Sequence, residues 1–175
     1  MKKIIVTIVT VIAIIIGCKT SSSNGKTSKL NVTFEPKSSS NVNGTGVFIE
    51  KNGKVTFTAN FTGLIPGIHA IHIHEKSDCS AADGSSAGGH WNPTFKKHGK
   101  LGEGEAHKGD IGNFTADKFG NGTITFTTSE WCIGCDDAKK DILGKSLIIH
   151  QGPDDYISQP SGNSGARVAC SAIIK

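Results

Sequence analysis

Period-two alternation of apolar and polar side chains is the feature that most constrains the fold of this 175-residue chain. Successive side chains of a strand point to opposite faces, so alternation predicts strands that are buried on one side. Asn52-Gly53 is a strong signal for a two-residue hairpin, because a type I′ turn needs positive φ at both positions. Eight segments are predicted as strands: residues 30–34, 47–50, 54–61, 68–74, 111–116, 122–127, 146–150 and 167–174.

These strands predict a single all-β domain over residues 30–175. The composition is rich in Gly (22 residues), Ser, Thr and Asn, and no segment forms a convincing amphipathic helix. Strands at this spacing are typical of a Greek-key barrel or sandwich. Two connections, residues 75–108 and 151–166, are too long for turns. Long loops in a compact domain are usually functional or disordered, and function is favoured here because these two hold most of the unusual residues.

The N-terminus predicts an exported lipoprotein. A basic start is followed by an apolar run over residues 4–16, which is too short to span a bilayer comfortably and suits a signal peptide of residues 1–17. Cys18 follows Gly17 and is predicted to carry lipid, with residues 18–29 as a flexible tether. An ordinary secretory signal is the alternative. The mature protein is expected in the cell envelope or periplasm, anchored to a membrane only through its lipid.

The charge of the mature chain argues against two classes of partner. Without the signal peptide, 17 basic residues face 15 acidic ones, a net charge of +2. A balance this mild does not indicate binding to nucleic acid or to an anionic membrane surface.

Five cysteines in an exported chain indicate disulfides. If Cys18 carries lipid, four remain, and the C-x-x-C spacing makes Cys132 and Cys135 a natural pair. This leaves Cys79 and Cys170, whose bond would close a loop of about 90 residues and stabilise the fold by roughly 4–5 kcal/mol on the chain-entropy model. For Cys132 and Cys135, a redox-responsive pair or an extra metal site are the alternatives to a structural disulfide.

Histidines carry most of the chemistry. His72 and His74 share one face of a predicted strand, so both rings can converge on a single ion. Further donors follow along the chain: His90, His98, His107, Asp110 and His150. Imidazole suits copper and zinc, and a carboxylate beside three imidazoles suits zinc. Seven donors fall one short of two four-coordinate sites, unless one imidazole bridges both ions through its two ring nitrogens.

Six ordered segments resemble the copper/zinc superoxide dismutases: GIHAIHIHEKSDC, SAGGHWNP, KKHG, EAHKGDIGN, LIIH and GARVAC. The resemblance extends collinearly over residues 30–175. It implies an eight-stranded Greek-key barrel and an enzyme that converts superoxide to O₂ and H₂O₂, with one copper and one zinc ion per chain. It assigns copper to His72, His74, His90 and His150, and zinc to His90, His98, His107 and Asp110.

The resemblance also implies catalytic roles for two residues. Arg167 would dock the anionic superoxide beside copper. His90 would bridge the ions, release copper when Cu(II) is reduced to Cu(I), take up a proton on that nitrogen and return it as peroxide forms. Cys79 and Cys170 match the disulfide of the family.

Two further residues are expected to support the ligands. Asp154 matches an aspartate that hydrogen-bonds both His72 and His98 and so couples the two metal sites. His69 matches a structural histidine near the copper ligands.

The chain departs from the family in residues 156–160, which lack the charged guiding residues of many members. Weaker steering of the substrate and a lower rate are therefore expected. The main alternative function is a copper- and zinc-binding storage or carrier lipoprotein without turnover. A copper-only relative would lack the zinc ligands, which are all present. A homodimer is possible, but the sequence shows no decisive interface patch that would predict one.

Overall fold

The computed structural model describes residues 27–175, so the predicted signal peptide, Cys18 and most of the predicted tether lie outside the described residues. Across residues 27–175, no helix has the length and apolarity that crossing a membrane requires. The described chain forms eight strands and one 3-10 turn: β1 Ser28–Pro36, β2 Asn43–Lys51, β3 Lys54–Thr62, β4 Gly67–His74, the turn Ser85–Ala87, β5 Asp110–Ala116, β6 Gly122–Thr128, β7 Lys145–His150 and β8 Arg167–Ile173.

The eight strands close into a barrel in the order β1-β2-β3-β6-β5-β4-β7-β8. Every neighbouring pair is antiparallel. Strands β4, β5 and β6 follow one another, while β3 lies beside β6 and β7 lies beside β4, which gives two overlapping Greek keys. The predicted all-β, eight-stranded Greek-key fold is confirmed, and it is a closed barrel rather than an open sandwich.

The β2–β3 hairpin has the predicted two-residue loop. Lys51 pairs with Lys54, and the φ angles of Asn52 and Gly53 are 53° and 71°. Both angles lie in the left-handed region that asparagine and glycine tolerate best, so the local sequence fixes this turn.

Alternation divides each strand between an apolar interior and a polar exterior, as β3 illustrates. Its inward residues Val55, Phe57, Ala59 and Phe61 are almost fully buried. Phe61 contacts Phe34 and Phe114 with ring centroids 5.0 Å apart in both cases. Full burial of such a side chain contributes about 1.5–3 kcal/mol.

Strand β4 is buried on both faces from His69 to His74. Ile71 and Ile73 belong to the barrel core. His72 and His74 therefore point outward, beneath the long connections. Register shifts fall next to histidines, at Ile71/His72 in the β4–β5 pairing and at Ile149/His150 in the β7–β8 pairing. Such irregularities re-aim side chains and are common beside active sites.

A third long connection, residues 129–144, joins β6 to β7, whereas only two were expected from the sequence. Its apolar side chains Trp131, Ile133 and Ile142 are buried against the barrel core. The segment therefore packs onto the barrel instead of forming a solvated turn.

Candidate metal centre

The seven predicted donors form two clusters on the outside of the barrel wall. In each cluster, one ligand atom from every residue lies within 4.8 Å of the others, and all the residues are buried. His90 belongs to both clusters. The first cluster is His72, His74, His90 and His150, and the second is His90, His98, His107 and Asp110.

Backbone pairing brings the loop ligands to the strands. His90 forms an isolated antiparallel bridge with His74 of β4. The N–H of Trp91 donates to the carbonyl of Ile73 at 2.8 Å, and the N–H of Gly109 donates to the carbonyl of Trp91 at 3.0 Å. These bonds hold the connection between β4 and β5 along β4, next to Asp110 at the start of β5.

Six buried imidazole nitrogens have no hydrogen-bond partner within residues 27–175. A buried polar atom without a partner costs about 1–3 kcal/mol, so a group of six needs an explanation. A metal ion beside each cluster would take these lone pairs, and the donor set therefore fits copper and zinc. The first cluster contains His72 Nδ1, His74 Nε2, His90 Nε2 and His150 Nε2, and the second adds His98 Nδ1 and His107 Nδ1.

Backbone carbonyls fix the tautomers of two rings in the first cluster. His74 Nδ1 lies 2.9 Å from the carbonyl oxygen of Gly88, and His150 Nδ1 lies 3.2 Å from that of Gly165. A carbonyl only accepts, so each Nδ1 carries the hydrogen and each Nε2 presents a lone pair to the cluster.

Asp154 links the clusters. Its buried carboxylate accepts from His72 Nε2 at 2.8 Å and from His98 Nε2 at 2.9 Å, as expected from the sequence. The backbone N–H of Tyr156 donates to the same carboxylate at 2.7 Å. Burial alone would raise the pKa of Asp154, but these donors hold it well below its usual range. The residue is therefore a carboxylate at neutral pH.

The carboxylate of Asp110 accepts several hydrogen bonds within the second cluster. His90 Nδ1 lies 2.9 Å from Oδ1, while the backbone N–H groups of His107 and Gly99 donate to Oδ2 at 2.8 and 3.0 Å. Burial would raise the pKa of Asp110, but these partners hold it far below its usual range. His98 Nδ1 lies 3.0 Å from Oδ2 and His107 Nδ1 lies 3.3 Å from Oδ1, which are ion-pair distances without hydrogen-bond geometry, so Asp110 approaches every histidine of its cluster.

The pKa values of three of these histidines are lowered and that of one is raised. Burial, followed by the neighbouring imidazoles, lowers the pKa of His74 and His150 well below the usual value. Burial also lowers the pKa of His90 to about 4, although Asp110 opposes that shift. Burial would lower the pKa of His98 too, but its two carboxylate partners raise it to about 9. His74, His90 and His150 are therefore neutral at neutral pH, the form of imidazole that binds a metal.

Arg167 faces a cavity of about 430 Å³ beside the first cluster, lined also by His74, His90 and His150. Its Nη1 and Nη2 donate to the carbonyls of Gly84 and Gly88 at 2.7 and 2.8 Å. The guanidinium is half-buried and fixed, so it presents a permanent positive charge to the cavity.

Both predicted disulfides are confirmed. Cys79 and Cys170 are bonded across 91 positions of sequence, with a Cα–Cα distance of 5.8 Å. This bond ties the connection after β4 to β8, three residues from Arg167. Cys132 and Cys135 are bonded within the connection after β6.

His69 lies outside both clusters, and its ring contacts two backbone carbonyls. Its Nδ1 is 2.9 Å from the carbonyl oxygen of His150 and its Nε2 is 2.7 Å from that of Ile65. The ring therefore ties β4 to the end of β7, where the last ligand of the first cluster is carried.

Sequence reasoning missed the contacts that hold His98. The side chain of Gln159 accepts from the N–H of His98 at 2.8 Å and donates to its carbonyl at 3.0 Å. A Cβ on Gly162 would collide with Asp154 and with the His98 ring. Glutamine is an ordinary loop residue, so no sequence signal distinguishes Gln159. The glycine marks a close approach that only the folded chain reveals.

Comparisons with known proteins agree with this geometry. The family model described as copper/zinc superoxide dismutase matches residues 42–173. A relative from Aquifex aeolicus (strain VF5), "Superoxide dismutase [Cu-Zn] 2", is 39% identical over 135 residues, which cover 74% of this chain and 78% of that protein. The chain therefore belongs to the copper/zinc superoxide dismutase family, as the sequence segments predicted.

Proposed function

We propose that this protein is a superoxide dismutase that binds copper at the first cluster and zinc at the second. The reaction converts two superoxide anions and two protons to O₂ and H₂O₂. The observation that carries the proposal is the set of six unpartnered imidazole nitrogens, grouped around the single ring of His90. Membership in the family supports the same activity.

The ligand chemistry supports one assignment of the two ions. Four imidazoles suit a copper ion, and three imidazoles with the Asp110 carboxylate suit zinc. Bound copper would supply a one-electron couple between Cu(II) and Cu(I), and bound zinc, which has no accessible redox state, would supply a fixed positive charge.

Arg167 binds the anionic substrate. Two of its N–H groups are occupied by the Gly84 and Gly88 carbonyls, so the guanidinium cannot follow the substrate and instead fixes its position in the cavity. A charge-assisted hydrogen bond to superoxide is about twice as strong as a neutral one. The residue lowers the entropic cost of bringing the anion to the first cluster.

His90 holds and delivers one of the two protons. Asp110 orients the ring through Nδ1, which leaves Nε2 facing the first cluster. A proton taken up on Nε2 during the first half-reaction is given to the second superoxide, and water supplies the other proton.

The connection before Arg167 supports a slower approach of the substrate. Residues 156–160 carry no charge, and Ile157 is 79% exposed at the surface. Electrostatic steering raises association rates by about 10–10³. Without charges in this stretch, steering depends on Arg167 and the bound cations.

We further propose that the enzyme acts in antioxidant defence in the cell envelope. Residues 1–17 have the pattern of a signal peptide, Cys18 is the lipidated residue, residues 18–29 are a tether, and residues 30–175 are the dismutase-like domain. Two disulfides support an oxidising compartment. A Cys18→Ser variant tests the anchor: it should leave the membrane fraction on cell fractionation, and membrane retention equal to wild type would contradict lipidation.

Reconstitution with copper and zinc tests the activity. Elemental analysis should find one ion of each metal per chain, and the loaded protein should consume superoxide catalytically. A protein that binds both metals without turnover would instead be a metal store or carrier. A protein that takes up copper alone would contradict the assignment of zinc to the second cluster.

A further inference from the structure

The segment around Trp131 lies outside both clusters, yet its indole reaches the chain that carries two of the ligands. Trp131 is 1% exposed and packs against Phe126 and Phe48, with ring centroids 5.2 and 6.3 Å away. Its Nε1–H donates to the carbonyl of Lys108 at 2.7 Å. The bond joins the connection after β6 to the connection after β4.

Lys108 occupies a turn between two ligands of the second cluster. The N–H of His107 donates to Oδ2 of Asp110 at 2.8 Å, and the N–H of Asp110 donates to the carbonyl of His107 at 3.3 Å. The carbonyl that Trp131 binds therefore belongs to the peptide unit inside this turn. The ammonium group of Lys108 also pairs with Glu130, the residue before Trp131.

The other side of the turn is held by the barrel wall. The N–H of Ile73 on β4 donates to the carbonyl of Gly109 at 2.9 Å, and a Cβ on Gly109 would collide with the carbonyl of Ile73. The turn is thus clamped between β4 and Trp131. A shift of the indole would leave one side of the clamp open.

The short loop that the Cys132–Cys135 disulfide closes begins directly after Trp131. Cys132 follows directly, donates to the carbonyl of Lys140 at 2.9 Å and accepts from the N–H of Ile142 at 3.2 Å. The next residue, Ile133, donates its N–H to the carboxylate of Glu50 on β2 at 3.0 Å. The bond between Cys132 and Cys135 closes this short loop against β2.

We propose that Trp131, held by the Cys132–Cys135 disulfide, is a positioning residue for the second cluster: through the Lys108 carbonyl it orients His107 and Asp110 for zinc. The inference rests on the proposed assignment of zinc to this cluster. Groups that orient metal ligands typically contribute about 10–100-fold to metal affinity. Because Trp131 acts through the main chain, the effect expected is near the lower end, about 10-fold.

Trp131→Phe tests the bond, because it keeps an aromatic ring and removes the N–H donor. Zinc affinity is measured on copper-loaded protein by competition with a chromogenic chelator, and Co²⁺ at the second cluster reports the ligand field. The variant should bind zinc about 10-fold more weakly, show changed Co²⁺ absorption bands and keep its copper content.

Phe126→Leu is the matched control, because it disturbs the same aromatic group and leaves the indole N–H in place. It should lower the free energy of unfolding without changing zinc affinity. Wild-type zinc affinity in Trp131→Phe would overturn the inference, and so would an equal loss in Phe126→Leu, which would assign the effect to packing. Wild-type protein that binds no zinc would instead overturn the proposed function.

A double-mutant cycle tests the part played by the disulfide. Replacing Cys132 and Cys135 by serine should weaken zinc binding in the same direction as Trp131→Phe. If the disulfide acts by holding Trp131, combining all three substitutions should add little further loss. Fully additive losses, or no loss in the serine variant, would overturn the role of the disulfide as the support of Trp131.

Discussion

Asp154 belongs to neither cluster, yet its change should affect both metals. Its two carboxylate oxygens accept from the rings of His72 and His98, one from each cluster. In Asp154→Asn, an amide NH₂ would face one of these ring N–H groups, so one ligand loses its orientation and the other loses a charged partner. We expect copper and zinc affinity to fall by about 10–100-fold. Competition titrations with chelators measure both constants.

Asp155→Asn is the control for that change. Asp155 is an exposed carboxylate in the same turn and accepts from Ser158 and from the N–H of Ile157. Removing its charge should leave both metal affinities unchanged. Weaker binding of only one metal in Asp154→Asn would contradict the coupling of the two clusters.

Arg167 contributes a fixed geometry in addition to its charge, and an Arg167→Lys variant distinguishes the two contributions. Lysine keeps the charge but cannot bind the Gly84 and Gly88 carbonyls as a planar fork. In Arg167→Lys we expect kcat/KM to fall about 10-fold, because the substrate loses one hydrogen bond to a charged group. The copper content and the dependence of the rate on salt should be retained. Stopped-flow superoxide decay over a range of ionic strength measures both quantities.

Arg167→Ala completes the comparison, because it removes the charge as well. Its rate should fall further and lose much of its dependence on salt. If either variant is fully loaded with copper and still reacts at the wild-type rate, Arg167 does not dock the substrate.

At the scale of elements, the Cys79–Cys170 disulfide ties the connection after β4 to β8 across 91 positions. Replacing both cysteines by serine should lower the free energy of unfolding by roughly 4–5 kcal/mol, because the unfolded chain regains the entropy of a long loop. The rate should fall too, since the Gly84 and Gly88 carbonyls that hold Arg167 lie in the released connection. Chemical denaturation of metal-loaded protein measures the first effect.

The Cys132–Cys135 disulfide provides the comparison. It joins residues only three positions apart, so its removal returns much less entropy to the unfolded chain. Similar losses for the two double-serine variants would contradict the loop-length argument.

The strands were predictable because alternation is a local property. All eight were found, with bounds that differ by a few residues: β1 begins at Ser28 and β2 at Asn43. Their order around the barrel depends on contacts between distant segments, which a local pattern does not contain. The connection that carries Trp131 was missed for a related reason. Its buried residues Trp131, Ile133 and Ile142 do not form one regular strand or helix pattern.

The seven donors of the two clusters could be selected from the sequence because their order along the chain resembles that of the family. The groups that orient these donors were harder to predict from the sequence. Gly88 and Gly165 act through backbone carbonyls, which every residue possesses. Trp131 acts through the carbonyl of Lys108. Side-chain identity gives no signal for such contacts, and only the folded chain shows them.

At the scale of the whole molecule, the stability of protein freed of metal by chelation should peak near pH 6.5, the ordinary pKa of histidine. The pKa values of His74, His90 and His150 are lowered by burial, so their contribution is present above 6.5 and lost as pH falls. The pKa of His98 is raised to about 9, so its contribution is present below 6.5 and lost as pH rises toward 9. Urea denaturation across this range measures the profile.

A His98→Asn variant distinguishes the loss of stability in acid from the loss at higher pH. It should keep the loss of stability in acid and lack the loss between pH 6.5 and 9, because the group with the raised pKa is gone. Stability that declines steadily in one direction across the range would contradict the opposite shifts.

Strand β4 has a consequence for how this protein can change over generations. Ile71 and Ile73 fill the barrel, while His72 and His74 face the metal clusters on the opposite side. Selection therefore acts differently on neighbouring positions: it preserves packing volume at the isoleucines and metal coordination at the histidines. Conservative apolar exchanges at the first kind of position can adjust thermostability while the reaction is preserved. The stability of the protein can thus evolve toward a new temperature without substitution of the metal-binding residues.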